Sequence, residues 1–251
     1  MSSDPLMPLL DLPGVADAAA EAREAIDRLL GHRVLRRQSG PVSAESALRG
    51  ARASAELEGA AYDLETVRGG AVTDAAVQGA LRVAAGLGPL VDTWPLAPRQ
   101  VLARLHALAA TDVVPADSLG RPSGDPAVSA RLDALAALVS APVGEGGTAA
   151  PAVVVAAIVH GELLSMRPFG GADGLVARAA GRLTLVARGL DPKSVSVPEA
   201  GHLARQPEYQ GSLGAYATGT PDGVRSWLRH YGTAVALGAE EGLAICDAMA
   251  A

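Results

Sequence analysis

The sequence contains one cysteine, Cys246, so no disulfide can form within the chain, and the reducing cytoplasm is the expected compartment. Aromatic residues supply only 3% of it, and a single lysine stands among 21 basic residues, a bias that fits a GC-rich coding sequence. No apolar run reaches the roughly 18 residues of a membrane span. The longest, Ala149 to Val159, has 11 and suits a core helix, so no membrane partner is expected. The opening MSSDPLMPLLDLPG has no basic stretch ahead of an apolar one and does not read as a secretory signal. Basic residues are outnumbered by 27 acidic ones, giving a net charge of −6, which argues against nucleic acid as a general partner. There is no H-E-x-x-H, C-x-x-C, P-loop or G-x-S-x-G, and His32, His106, His202 and His230 are scattered, so no metal site is expected.

What the chain does have is apolar content. At 49% apolar and 19% charged over 251 residues, it can bury a substantial core. The apolar residues recur at helical spacing. From Val15, positions 19, 22, 26, 29 and 30 form one stripe that Gly31 closes. A second helix is expected from Ser43, as N-cap, to Glu58, and a third after Thr73. A fourth has Pro98 in its first turn and buries Val101, Leu102, Leu105 and Leu108. A fifth lies around Ala130, and Pro151 to Met166 is apolar nearly all round its first half, the mark of a central helix. Two more follow, through Val176 to Leu190 and through Val224 to Val235. Strand candidates are limited to Val113-Val114 and Ser194 to Val197. The expected fold is all-α with at most minor β-structure: an N-terminal helical region over 1–40 and a single helical domain over 41–251.

Two local patterns are set aside. Gly144-Glu145-Gly146-Gly147-Thr148-Ala149 matches the G-x-G-x-x-A of a dinucleotide loop, yet no βαβ alternation surrounds it, and it reads as a helix–helix connection. Arg33, Arg36 and Arg37 follow a helix end, where they complement its dipole and stay solvated.

The informative stretch is His160 to Arg178, HGELLSMRPFGGADGLVAR. It resembles the HPFx(D/E)GNGRxxR signature of the Fic (fido) family. Arg167-Pro168-Phe169 falls at HPF, Gly170-Gly171 precedes Ala172-Asp173-Gly174-Leu175 at the GNGR positions, and Arg178 matches the last Arg. Leu105-His106 with Gly120-Arg121, and Tyr209, Leu213 and Tyr216, also resemble family features. Ser54 to Gly59 fits the family's inhibitory pattern S/T-x-x-x-E-G/N, with Ser54 and Glu58 on one helix face, in a segment spanning 43–59.

The resemblance implies a helical fold and transfer of AMP from ATP to a target hydroxyl, with a His base, an acidic Mg²⁺ ligand and a glycine turn around the phosphates. It would place cofactor-facing positions at Arg167, Gly170, Gly171, Asp173, Gly174 and Arg178, and regulatory ones at Ser54 and Glu58. Position by position the sequence departs from that apparatus. Arg167 stands at the base and stays protonated. Gly171 offers no oxygen to a metal, and Leu175 replaces a phosphate-binding Arg. Ala172 would resist a left-handed turn, and Asp173 adds negative charge. Little chain remains between Arg121 and the next helix for a target-aligning β-hairpin.

The expectation is therefore a catalytically inactive binder of a protein or a small anion, with a homodimer as one form. No cofactor is expected, ATP with Mg²⁺ entering only if transfer persists. The alternatives are a transferase whose base is Glu162 or Asp173, and a dinucleotide-dependent oxidoreductase using the Gly144 loop. Glu58 and Arg178 should face each other as an ion pair, and Arg167 is expected to be neutralised by Asp173.

Overall fold

Capping residues and prolines set where the chain turns. In the computed structural model, which describes residues 4–250, Asp63, Asp74 and Asp125 accept backbone N–H groups at three helix starts, and Pro98 and Pro126 open two helices. The described residues form eleven α-helices and no strand. They are α1 Val15–Leu30, α2 Ser39–Leu57, α3 Leu64–Arg68, α4 Ala75–Gly86, α5 Pro98–Ala110, α6 Pro126–Ser140, α7 Ala152–Met166, α8 Asp173–Ala187, α9 Pro198–Ala204, α10 Gln206–Tyr216 and α11 Pro221–Ala250.

Helix α7 is the axis of the fold because the first half of its sequence offers no polar face. Val153, Val154, Ala156 and Ala157 join a core shared with α1 and α11, while Val159, Leu163 and Met166 join a second core with α2, α4, α5, α6 and α8. Each fully buried Val or Leu here contributes about 1.5–3 kcal/mol relative to exposure. Helix α8 is buried from Asp173 to Leu185 and packs along α7, so the turn between the two helices is held from both sides. The N-terminal α1 runs against α11 and shares its core.

The elements differ from expectation in several places. Helix α8 stops at Ala187 rather than reaching Leu190, because the chain turns off through Gly189 at φ 76. Helix α2 begins at Ser39 rather than Ser43, because Gly40-Pro41 supplies a first turn in which the missing proline N–H costs nothing. Ser43 instead donates from its hydroxyl to the Ser194 carbonyl at 3.2 Å. Val113 and Val114 form no strand: both N–H groups bond the Ala110 carbonyl and wind a turn off α5. Ser194 to Val197 is not a strand either. The Asp191 carboxylate takes the Val195 and Ser196 N–H groups, and Ser46 and Arg182 donate to the Ser196 carbonyl, so side chains replace a ladder. The only bridge among the described residues joins Val143 to Thr148. It closes the Gly144 loop between α6 and α7, with Gly144 and Gly146 at positive φ, and no sheet adjoins it.

Candidate functional site

The chain leaves α7 through Arg167, whose backbone is left-handed at φ 46 and whose N–H still bonds the Leu163 carbonyl at 2.9 Å. Gly170 follows at φ 72 and Ala172 at φ 54, after which α8 starts at Asp173. The turn therefore forms with alanine in a left-handed conformation, contrary to the expectation that Ala172 would block it. Packing supplies the reason. Asp173 reaches back to accept the Phe169 N–H at 3.0 Å, the Phe169 ring stacks on His106 with centroids 4.3 Å apart, and the Pro168 carbonyl accepts the Ser123 N–H at 2.7 Å. These contacts over-determine the turn and carry the strain of its two left-handed non-glycine residues, Arg167 and Ala172.

His106 is itself anchored, its Nδ1 accepting the Gly120 N–H at 2.9 Å. Burial holds its imidazole below the ordinary range, opposed by the Gly171 backbone. The Leu-His and Gly-Arg segments singled out in the sequence thus meet the motif turn. Between them, residues 111–125 cross beside the turn without a hairpin, and Val114 lies so close to Gly171 that a Cβ there would come within 2.8 Å of it.

Further into α8, Arg178 is 4% exposed and held on three sides. Its Nε donates to the Ser54 hydroxyl at 2.6 Å, and Nη2 donates to the Ser54 carbonyl at 3.0 Å and to Glu58 Oε1 at 2.5 Å. Nη1 reaches the Tyr209 hydroxyl at 3.4 Å. Burial opposes the charge, but Tyr209 and Glu58 more than offset it and hold the Arg178 pKa above its ordinary value. Gly174 is required here, because any Cβ at that position would collide with the Glu58 carboxylate.

The expected pair between Arg167 and Asp173 is absent. Arg167 is exposed, and among the described residues no carboxylate lies within 4 Å of it. Asp173 is buried and committed to the Phe169 N–H, with its second oxygen unpartnered among the described residues. Burial raises the Asp173 pKa; the Phe169 N–H and Arg167 pull it down, and Glu58 pushes it further up.

Beside the turn opens a groove of about 360 Å³ lined by Glu58, Asp74, Val113, Ala172 and Leu175. Its charged lining residues are both carboxylates. Leu175 is 2% exposed and packs toward Gly79 of α4. Glu162, considered above as a substitute base, is engaged by the Tyr216 hydroxyl at 2.8 Å and by Arg131 at 2.8 Å, toward α10 and α6.

Sequence spacing missed one cluster. His160, His202 and His230 come from α7, α9 and α11 and converge around Trp227. His160 Nε2 lies 2.9 Å from the Tyr209 hydroxyl, and His202 Nδ1 lies 3.0 Å from His230 Nε2. Burial drives the pKa values of His160 and His202 far down and that of His230 to about 4. Nothing in their spacing of 42 and 28 residues marks them as neighbours. Among the described residues no group of His, Cys, Asp and Glu is arranged to hold a metal ion.

No family model and no curated protein matches this sequence. The fold, by contrast, has solved counterparts. A Fic family protein from Desulfovibrio desulfuricans G20 superposes with a TM-score of 0.74 at 20% identity, covering 92% of this chain and 74% of that one. Fic-1 from C. elegans superposes with a TM-score of 0.70 at 15% identity, covering 96% of this chain and 75% of the other. The chain has the Fic fold. The helical architecture expected from the resemblance is the one observed.

Proposed function

We propose that this Fic-fold chain is a bacterial, cytoplasmic pseudoenzyme that binds a protein, or a small anion at Arg167, in place of transferring a nucleotide. The observation that carries this reading is the groove beside the motif turn. Its charged lining residues are Glu58 and Asp74, and Leu175 occupies the position where the resemblance puts a phosphate-binding Arg. A triphosphate in such a groove meets like charge at close range. The residues beside the turn do not fit ATP with Mg²⁺: Gly171 offers no oxygen ligand, and Arg178 spends its donors on Ser54 and Glu58.

A protonated guanidinium at 167 accepts no proton, and loss of a general base alone costs roughly 10²–10⁴-fold. Glu162 is held by Arg131 and Tyr216, and the Gly144 loop adjoins no strand, which weakens both enzymatic alternatives. Composition rich in Ala and Arg supports a bacterial source, and the lone buried Cys246 supports a reducing compartment.

The test is labelling with radiolabelled ATP and Mg²⁺, on the purified protein alone and in a lysate, beside thermal melts with ATP–Mg²⁺, NAD(P) and flavin. A ligand that binds only the folded state raises the midpoint. No label and no shift are expected. Robust Mg²⁺-dependent labelling that disappears in Asp173→Ala would overturn the reading in favour of transfer. A shift with NAD(P) or flavin would overturn it in favour of redox chemistry.

A further inference from the structure

Most arginines of this fold sit against carboxylates, as Arg49 does with Glu45 and Glu241 and Arg182 with Glu199. Arg33, Arg36 and Arg37 do not: among the described residues no carboxylate lies within 4 Å of any of them, and all three are exposed. Their clustering follows from local structure. Between α1 and α2 the chain makes a short turn over Arg33–Arg36 in which Val34 and Leu35 point into the core, so the arginines must face outward. The only lysine of the chain joins them, its Nζ donating to the Leu35 carbonyl at 3.4 Å from Lys193. His32, the flanking residue, is engaged by Asp247 at 3.3 Å.

These side chains do not lie on a flat surface. A groove of about 400 Å³ runs between the turn and the end of α11, lined by Arg33, Arg36, Arg37, Gln38 and the apolar Met249. That volume lies within the roughly 300–1,000 Å³ of ligand sites. We infer that this groove is a docking site for a short acidic peptide segment that places an apolar residue on Met249 between carboxylates.

Charge decides among polyanions. The whole chain carries −6, so an extended polyanion such as nucleic acid or an anionic membrane meets repulsion once it leaves the patch. A short acidic segment is satisfied locally, and bidentate guanidinium–carboxylate pairing suits arginine. The inference stands apart from the motif turn and does not depend on whether that turn is active.

The test is fluorescence anisotropy of a labelled Glu-Glu-Leu-Glu-Glu peptide with the full chain, against the Gln-for-Glu peptide. The acidic peptide is expected to bind saturably, more weakly as ionic strength rises, and the neutral one not to bind. The variant Arg33→Gln with Arg36→Gln and Arg37→Gln should weaken binding about tenfold, the scale of three exposed ion pairs, while the exposed Arg121→Gln leaves it unchanged. If the triple variant melts early, Arg36→Gln alone serves, with a smaller loss in the same direction. Equal binding of the two peptides, or undiminished binding to the arginine variants, would overturn the inference. So would arginine-dependent binding seen only with a single-stranded oligonucleotide or with phosphatidylserine vesicles.

Discussion

Glu58 Oε1 lies 2.5 Å from Nη2 of Arg178, and the same nitrogen donates to the Ser54 carbonyl at 3.0 Å. The resemblance gives such a pair the role of holding an ATP site shut. In this chain the guanidinium is buried and the carboxylate side chain is 30% exposed, so the pair also neutralises a cation inside the core. Removing the carboxylate leaves that cation with Ser54 and Tyr209 alone. Glu58→Gly should therefore lower stability by about 1–3 kcal/mol, below the buried-pair range because Glu58 is partly solvated. Urea denaturation measures the loss, and AMP labelling of the same variant should stay at background. A clear gain in labelling would restore the inhibitory role.

Ala172 carries a left-handed backbone that alanine disfavours by roughly 1–2 kcal/mol. Ala172→Gly relieves that strain and loses some of the gain to the greater freedom of glycine when unfolded. Its midpoint in urea should rise, for a net gain of about 0.5–1 kcal/mol. A decrease would mean that the alanine methyl, which lines the acidic groove, packs more strongly than the strain costs.

The three buried histidines make stability depend on pH with a definite sign. The folded pKa of His230 is depressed to about 4, and those of His160 and His202 are also lowered, while an unfolded His titrates near 6.5. The unfolded chain thus binds more protons below that value. Stability contributed by the neutral imidazoles is present above pH about 6.5 and is lost as pH falls toward about 4. Thermal melts across this window should fall steadily, and His230→Phe should flatten the slope. An unchanged slope in that variant and in His202→Phe would place the acid sensitivity elsewhere.

On the proposed reading, nucleotide binding should require more than a base at 167. Arg167→His alone is expected to give no AMP transfer, because Gly171 still lacks a metal ligand and Leu175 a phosphate contact. The resemblance calls for Arg167→His, Gly171→Asp, Ala172→Gly, Asp173→Asn and Leu175→Arg together. Packing adds Val114→Ala, since a side chain at 171 meets Val114. An ATP-dependent rise in melting midpoint in the sixfold variant, absent from Arg167→His, is the expected result. Labelling by Arg167→His alone would contradict the account of an acidic groove.

Helix identity was legible wherever local chemistry is decisive. The apolar run before Met166, Pro98 in a first turn and the stripe through Val224 each predict a helix that the structure contains. Short helices were not legible: α3 is five residues long, and its cap at Asp63 lies in a stretch with no apolar period. The motif turn could be located from its letters, but its conformation could not. The reading that Ala172 blocks the turn relied on local preference, and contacts from Phe169, His106 and Ser123 outweigh it. The expected pair of Arg167 with Asp173 failed for a related reason, because a neighbouring N–H and burial claimed the carboxylate.

By itself, then, the sequence determined an all-helical chain with α7 at its centre, since a helix whose first half has no polar face must be covered there on every side. It also determined which side chains stand at the motif positions. Tertiary structure alone decided what those side chains face. Glu58 and Arg178, 120 residues apart, meet only because α2 packs beside α8, and the three histidines meet only where α7, α9 and α11 converge. The acidity of the groove likewise arises from α4 bringing Asp74 opposite Glu58. Such juxtapositions come from burying helix faces against one another, and side-chain order along one helix carries no record of which distant face will cover it.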